Sequence, residues 1–154
     1  MGEAHVLTID GGHPARLNQW DGRHWSVRAR LKRRDRETVG LYARLAAIPP
    51  AAGRRRVSLR LTLAPRQRAG DPDSYWKSLL DALVHAGLLV DDNRQSVELG
   101  EVTFERGSIR RTAIVLEDVA SLPHRGDTKT AGGASTVPDG DSQGHAGSPA
   151  VGQF

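Results

Sequence analysis

The chain contains no cysteine. Disulfides and thiolate metal centres are therefore excluded. Lysine is scarce: of 22 basic residues only Lys32, Lys77 and Lys129 are lysine. Aromatic residues make up 5% of the chain, so few positions can offer a stacking surface. No apolar run approaches the length of a membrane span. The opening Met1-Gly2-Glu3-Ala4-His5 lacks the charged and apolar regions of a secretory signal. With 38% hydrophobic residues and a mean hydropathy of −0.48, the expectation is a soluble protein of the cytoplasm with no membrane partner.

What is present is a basic chain of 154 residues, with net charge +4 and a pI near 10.1. That length supports a single core. Arginine dominance suits phosphate recognition, because the planar guanidinium binds two oxygens at once. Genomic base composition produces the same bias, so charge alone points only weakly to nucleic acid.

The stretch from Asp71 to Asp92 organises the rest. Asp71 followed by Pro72 is a helix-start signal, since Pro fits the first turn and the acid accepts from free N–H groups. Trp76, Leu79, Leu80, Leu83 and Val84 recur at helical spacing, which predicts a helix from about Ser74 to Ala86 with Gly87 as its C-terminal cap. Asp73, Lys77 and Asp81 line one polar face. Leu88-Leu89-Val90 reads as a short buried strand ending at Asp91-Asp92-Asn93. Such a helix is about 20 Å long, and an extended segment from Gly87 to Asp92 spans about 16–20 Å. If that segment folds back, Asp92 returns beside Asp71 and Asp73. Three carboxylates there suit Mg²⁺, with Mn²⁺ as a substitute. The structural alternative is that Asp71 or Asp73 only caps the helix, Asp81 pairs with Lys77, and Asp91-Asp92-Asn93 is a turn.

Around this stretch, Ala4 to Ile9 reads as a strand. Arg16 to Trp25 reads as a loop in which Arg16, Arg23, Trp20 and Trp25 either grip a nucleic-acid backbone or pack the loop on the core. A long helix is expected from Ser26, its cap, to Ile48. Its first half is basic, with Arg28 and Arg33 among the residues able to track phosphates. Its second half carries Val39, Tyr42, Ala46 and Ile48. The spacings of His5, His13 and His24 fit no zinc pattern. Arg54 to Ala64 alternates as a half-buried strand. Arg66 and Arg68 lie in the basic loop leading to Asp71, where they can position a phosphate. Ser96 to Glu105 alternates with an ambiguous buried face. Arg110 to Val119 follows after a short Gly-containing turn, so the two strands read as a hairpin. From Pro123 onward the composition predicts a disordered tail. The expectation is an α+β domain over 1–122, a small mixed sheet packed with two main helices, and a tail over 123–154.

The order Asp71-x-Asp73, Lys77, Asp81-Ala82-Leu83, Ala86-Gly87 and Asp91-Asp92 resembles the signature of the RusA family of Holliday-junction resolvases. The match runs from Asp71 to Asp92 without a gap. More loosely, Pro14-x-x-Leu17-Asn18 with His24-Trp25 resembles the family's N-terminal segment. The resemblance implies a symmetric homodimer that cuts four-way DNA junctions with a divalent metal. It assigns the metal to Asp71, Asp73 and Asp92 and an assisting role to Lys77, with Asp81 and Asp91 in support. Two departures stand out: Ser74 replaces the family's usual Asn, and the run after Asp92 is one residue longer. They motivate the alternative of a branched-DNA-binding protein without catalysis. A nuclease for flaps or other branched DNA is a third reading.

Overall fold

The computed structural model describes residues 2–19 and 22–120. The expectations for Trp20 and for the tail from residue 123 lie outside these residues. Four strands and two helices follow in the order β1 (Ala4–Asp10), α1 (Trp25–Leu45), β2 (Arg55–Leu63), α2 (Trp76–His85), β3 (Val97–Arg106) and β4 (Arg111–Asp118). The strands form one mixed sheet in the order β1-β4-β2-β3. The α+β expectation therefore stands.

β2 carries the plainest pattern. Arg55, Val57, Leu59, Leu61 and Leu63 are buried and the residues between them are not, the period of two expected for a sheet covered on one face. Leu7 and Ile9 of β1 and Ile114 and Leu116 of β4 join that face. Val39 and Ala43 of α1 and Leu79, Ala82 and Leu83 of α2 close the core over it.

The expected hairpin does not form. β3 pairs in parallel with β2, and β4 pairs antiparallel with β1 on one side and β2 on the other. Because α2 carries the chain back along the sheet, β3 starts at the same end as β2. The link from β3 to β4 then passes over the end of β2, where the Gly107 N–H donates to the Leu63 carbonyl. A Cβ on Gly107 would run into the Thr62 methyl, so the crossing needs glycine. The ambiguity in β3 has a cause too. Val57 pairs with Leu99 but Leu59 pairs with Val102, so β3 carries a bulge. The extra residue changes the phase of the alternation: Val97 is buried before the bulge, and Val102 and Phe104 pack on the core after it.

Both helices end in Schellman geometry. After α2, Leu88 N–H donates to Leu83 O with Gly87 at φ 74°. After α1, Ile48 N–H donates to Ala43 O with Ala47 at φ 51°. The start of α1 differs from expectation. His24, not Ser26, is the cap, and its Nδ1 accepts from the Ser26 N–H. Trp25 is 69% exposed and sits against the His24 ring rather than on the core.

Leu88-Leu89-Val90 is not a strand. The Leu88 N–H closes the helix, its carbonyl accepts from the Arg55 guanidinium, and Leu88 and Leu89 are both buried. Adjacent buried residues with committed backbone groups cannot alternate as a strand.

Candidate functional site

The end of the sheet where β2 finishes carries the acids at Asp71 and Asp73. Pro72–Tyr75 forms a short 3₁₀ turn that leads into α2. Asp71 caps it, its Oδ1 accepting from the Asp73 N–H at 3.2 Å. The Ser74 hydroxyl donates to the Asp71 carbonyl at 2.6 Å, so Ser74 fixes the turn and does not orient the Asp73 carboxylate. Tyr75 and Trp76 are buried and anchor the turn to the core, with the Tyr75 ring facing Phe104. Asp71, Asp73 and Lys77 are all exposed, and among the described residues no cation pairs with either acid.

Arg66 and Arg68 are exposed in the loop that delivers Asp71. Arg106, which sequence reasoning passed over, shapes that loop by donating to the carbonyls of Ala64, Pro65 and Gln67. Arg16 comes from the loop after β1. A Cβ on Gly70 would meet the Arg16 side chain and the Tyr75 hydroxyl, so glycine just before Asp71 lets Arg16 lie beside the acid turn. Arg16, Arg66, Arg68, Asp71, Asp73 and Lys77 thus share one end of the fold.

Asp92 does not join them. It follows α2, between Leu88, which bonds to Arg55 at the start of β2, and Asn93, whose carbonyl accepts from Ser96 and Val97 N–H at the start of β3. Asp71 and Asp92 therefore stand at opposite ends of α2, a helix about 15 Å long at 1.5 Å per residue. No group of three or more Asp, Glu or His residues able to hold a metal ion is present among the described residues. The fold-back that would have joined the acids needed the missing strand. Instead the Asp92 N–H donates to the Asp91 carboxylate, which also accepts from the Asn93 amide. That is the turn geometry left open as the structural alternative.

Asp81 does not pair with Lys77. Arg36 of α1 grips it with two hydrogen bonds, at 2.8 and 3.1 Å, and Lys32 stands 4.0 Å away. Those Arg36 hydrogen bonds, against partial burial, hold the Asp81 carboxyl below its ordinary value. The basic half of α1 is thus partly committed inside the molecule. Arg33 pairs with Glu37 and Arg34 with Asp35. Arg23 and Arg28 remain exposed.

Asp35 is the internal tie that sequence reasoning missed. It is buried, and its Oδ2 accepts from the Ala15 N–H at 2.7 Å and the Ser78 hydroxyl at 2.6 Å. One carboxylate thereby joins α1, α2 and the loop bearing Arg16. The signal was legible: Asp35, Val39 and Ala43 fall at i, i+4 and i+8, which puts the acid on the apolar face.

The fold and this end of it define a small α+β domain presenting, among arginines, two carboxylates with no cation partner among the described residues. Comparison with protein-family models and with curated proteins finds no match. The likeness to the RusA signature over 71–92 rests on its residues alone.

Proposed function

We propose that the protein is a metal-dependent endodeoxyribonuclease acting on four-way DNA junctions. The observation that carries this reading is the Asp71–Asp73 turn: two carboxylates of the RusA-like signature, without a cation partner among the described residues, beside Arg16, Arg66 and Arg68. Mg²⁺ commonly sits on one or two carboxylates plus water and phosphate oxygens, so this pair fits such an ion without a third acid. Bound there, Mg²⁺ or Mn²⁺ would supply Lewis-acid activation at phosphorus. The chain's own contribution is distinct. Asp71, held by its contacts to Asp73 and Ser74, keeps the carboxylates in place. Arg66 and Arg68 neutralise the flanking phosphates. Lys77, in the first turn of α2, stabilises negative charge that develops on the cut strand.

Asp92 enters this reading only across a two-fold homodimer, where one chain's Asp92 reaches its partner's Asp71 and Asp73. A dimer also presents two equivalent sites to a junction. The second reading is a branched-DNA-binding protein without catalysis, and the distance of Asp92 from the other acids in one chain favours it.

The test is cleavage of a labelled four-way junction beside linear and flap controls, with and without Mg²⁺ or Mn²⁺. Paired symmetric nicks on the junction alone, only with metal, support the proposal. Asp73→Asn is expected to abolish cleavage while keeping or strengthening junction binding, since it removes a negative charge near phosphates. Mixing Asp73→Asn and Asp92→Asn chains restores one site per dimer if Asp92 acts across the dimer, and restores nothing if it acts within its own chain. Tight binding without product under either metal selects the second reading.

A further inference from the structure

Beside the Asp71 turn lies a cavity of about 650 Å³, within the usual size range of small-molecule sites. Its charges are uneven. Arg16 and Arg110 both line it, and neither is paired with a carboxylate among the described residues. The two acids at its wall are committed elsewhere. Asp10 accepts from Arg111 at 2.6 Å, and Asp35 accepts from Ala15, Ser78 and Arg34. Two guanidiniums without acids are a place for an anion.

His13 lines the same cavity. Its Nδ1 is 2.9 Å from the Thr112 hydroxyl, and that hydroxyl donates its one proton to the Gly12 carbonyl. The ring must therefore donate from Nδ1, which leaves Nε2 to accept or, once protonated, to donate. Nε2 is buried with no hydrogen-bond partner among the described residues, and a buried acceptor of this kind gains free energy from a donor. Burial, then Arg110, then Arg16 hold the ring below its ordinary pKa, which agrees with both guanidiniums lying close to it. Gln19, Thr38 and Gln67 also line the cavity and none of them is buried, whereas Ile9, Val39 and Leu79 beneath it are covered by the core.

We propose that this cavity binds a single nucleotide, its phosphate held by Arg16, Arg110 and His13 and the polar edge of its base by Gln19, Thr38 and Gln67. An anionic head on a body with hydrogen-bonding edges matches the cationic and the uncharged polar parts of the lining. Inorganic phosphate would fill only one of them. Because Arg16 passes over Gly70 beside the acid turn, a strand running past Asp71 can deliver one unpaired nucleotide into the cavity. That strand-bound arm rests on the function proposed above. The free-nucleotide arm does not.

The experiment is titration of the full chain with dAMP, deoxyadenosine and inorganic phosphate, followed by calorimetry and by the ¹⁵N resonances of the His13 ring. The expected result is dAMP binding that moves Nε2, with deoxyadenosine and phosphate each weaker by about tenfold or more. Arg16→Gln and Arg110→Gln each weaken dAMP by about tenfold with unchanged melting temperature. Gly70→Ala, which removes no charge but puts a methyl where Arg16 lies, weakens it as well. No dAMP binding at about 10 mM overturns the proposal. So does binding that both arginine variants retain, or phosphate binding as tightly as dAMP. In the second arm, oligonucleotides with one unpaired nucleotide compete with dAMP. Competition supports delivery from a strand, and its absence overturns that arm. Binding of dAMP without any junction binding sustains the cavity assignment and sinks the nuclease reading.

Discussion

The two ends of the sheet are built from the same residue types and use them in opposite ways. Where β2 begins, Arg54, Arg55 and Arg56 are paired with Glu98, Asp118, Glu98 and Glu117. Arg55 is the extreme case. It is 1% exposed and donates to Asp118, to the Pro49 carbonyl and to the Leu88 carbonyl. Where β2 finishes, Arg111 pairs with Asp10, but Arg16, Arg66, Arg68 and Arg110 have no carboxylate partners among the described residues, and Asp71 and Asp73 have no cations. Charges that answer one another within the chain hold the fold. Charges left unanswered on one surface repel like neighbours, and a polyanion or a metal relieves that repulsion.

The largest expected break of this contrast is Arg55→Ala. It removes a buried side chain and takes the donor from the buried Leu88 carbonyl, the Pro49 carbonyl and the part-exposed Asp118 carboxylate, and a stability loss of about 3 kcal/mol is expected in urea unfolding. Arg110→Ala, the matching change at the other end, is expected to stay within about 0.5 kcal/mol. Equal losses would erase the distinction. Next comes Asp71, where a structural and a chemical role coincide and can be separated. Asp71→Ala loses the cap and is expected to cost about 1 kcal/mol, read by thermal melting. Asp71→Asn keeps a capping oxygen and is expected to cost little, while removing the charge on which cleavage is proposed to depend.

A smaller effect tests the helix ends near the paired side. The ends of α1 and α2 share one geometry, but only α2 has glycine at the left-handed position. Ala47→Gly is expected to raise stability by about 0.5–1 kcal/mol, because it relieves a Cβ in that conformation. The smallest effect concerns acid. The carboxyl of Asp81 sits below its ordinary value because of Arg36. The contact therefore stabilises the fold above the ordinary carboxylate range, and this stability is lost as pH falls through the lowered folded value. Asp81→Asn is expected to flatten the acid limb of the stability curve below about pH 4. An unchanged slope would mean the Arg36 pair contributes nothing.

Most of the elements were legible in the chain. β2 was visible in its alternation, α2 in its stripe from Trp76 to Val84, and the caps at Asp71 and Gly87 in residue types that suit helix ends. These signals are local, set by backbone sterics and by side chains within one or two turns. The hairpin, the strand at Leu88 and the partner of Asp81 were misread because each depends on what lies across space. β4 pairs with β1 and β2 rather than with its sequence neighbour. Leu88 spends its carbonyl on Arg55, and Asp81 finds Arg36 on another helix. Asp35 was overlooked among the arginines around it, although its helical position marked it.

By itself the sequence determined the class of fold, the basic charge, the absence of thiol chemistry and the acid turn at Asp71 and Asp73. Each follows from composition or from contacts within a few residues. Only the tertiary structure decided which charges are left without partners. The direction of α2 sends Asp92 away from Asp71, and the crossing at Gly107 brings Arg110 and Thr112 to the loop of His13 and Arg16. No spacing along the chain encodes that meeting, because pairing between distant charges is settled by how helices and strands pack and not by how far apart the residues lie in sequence.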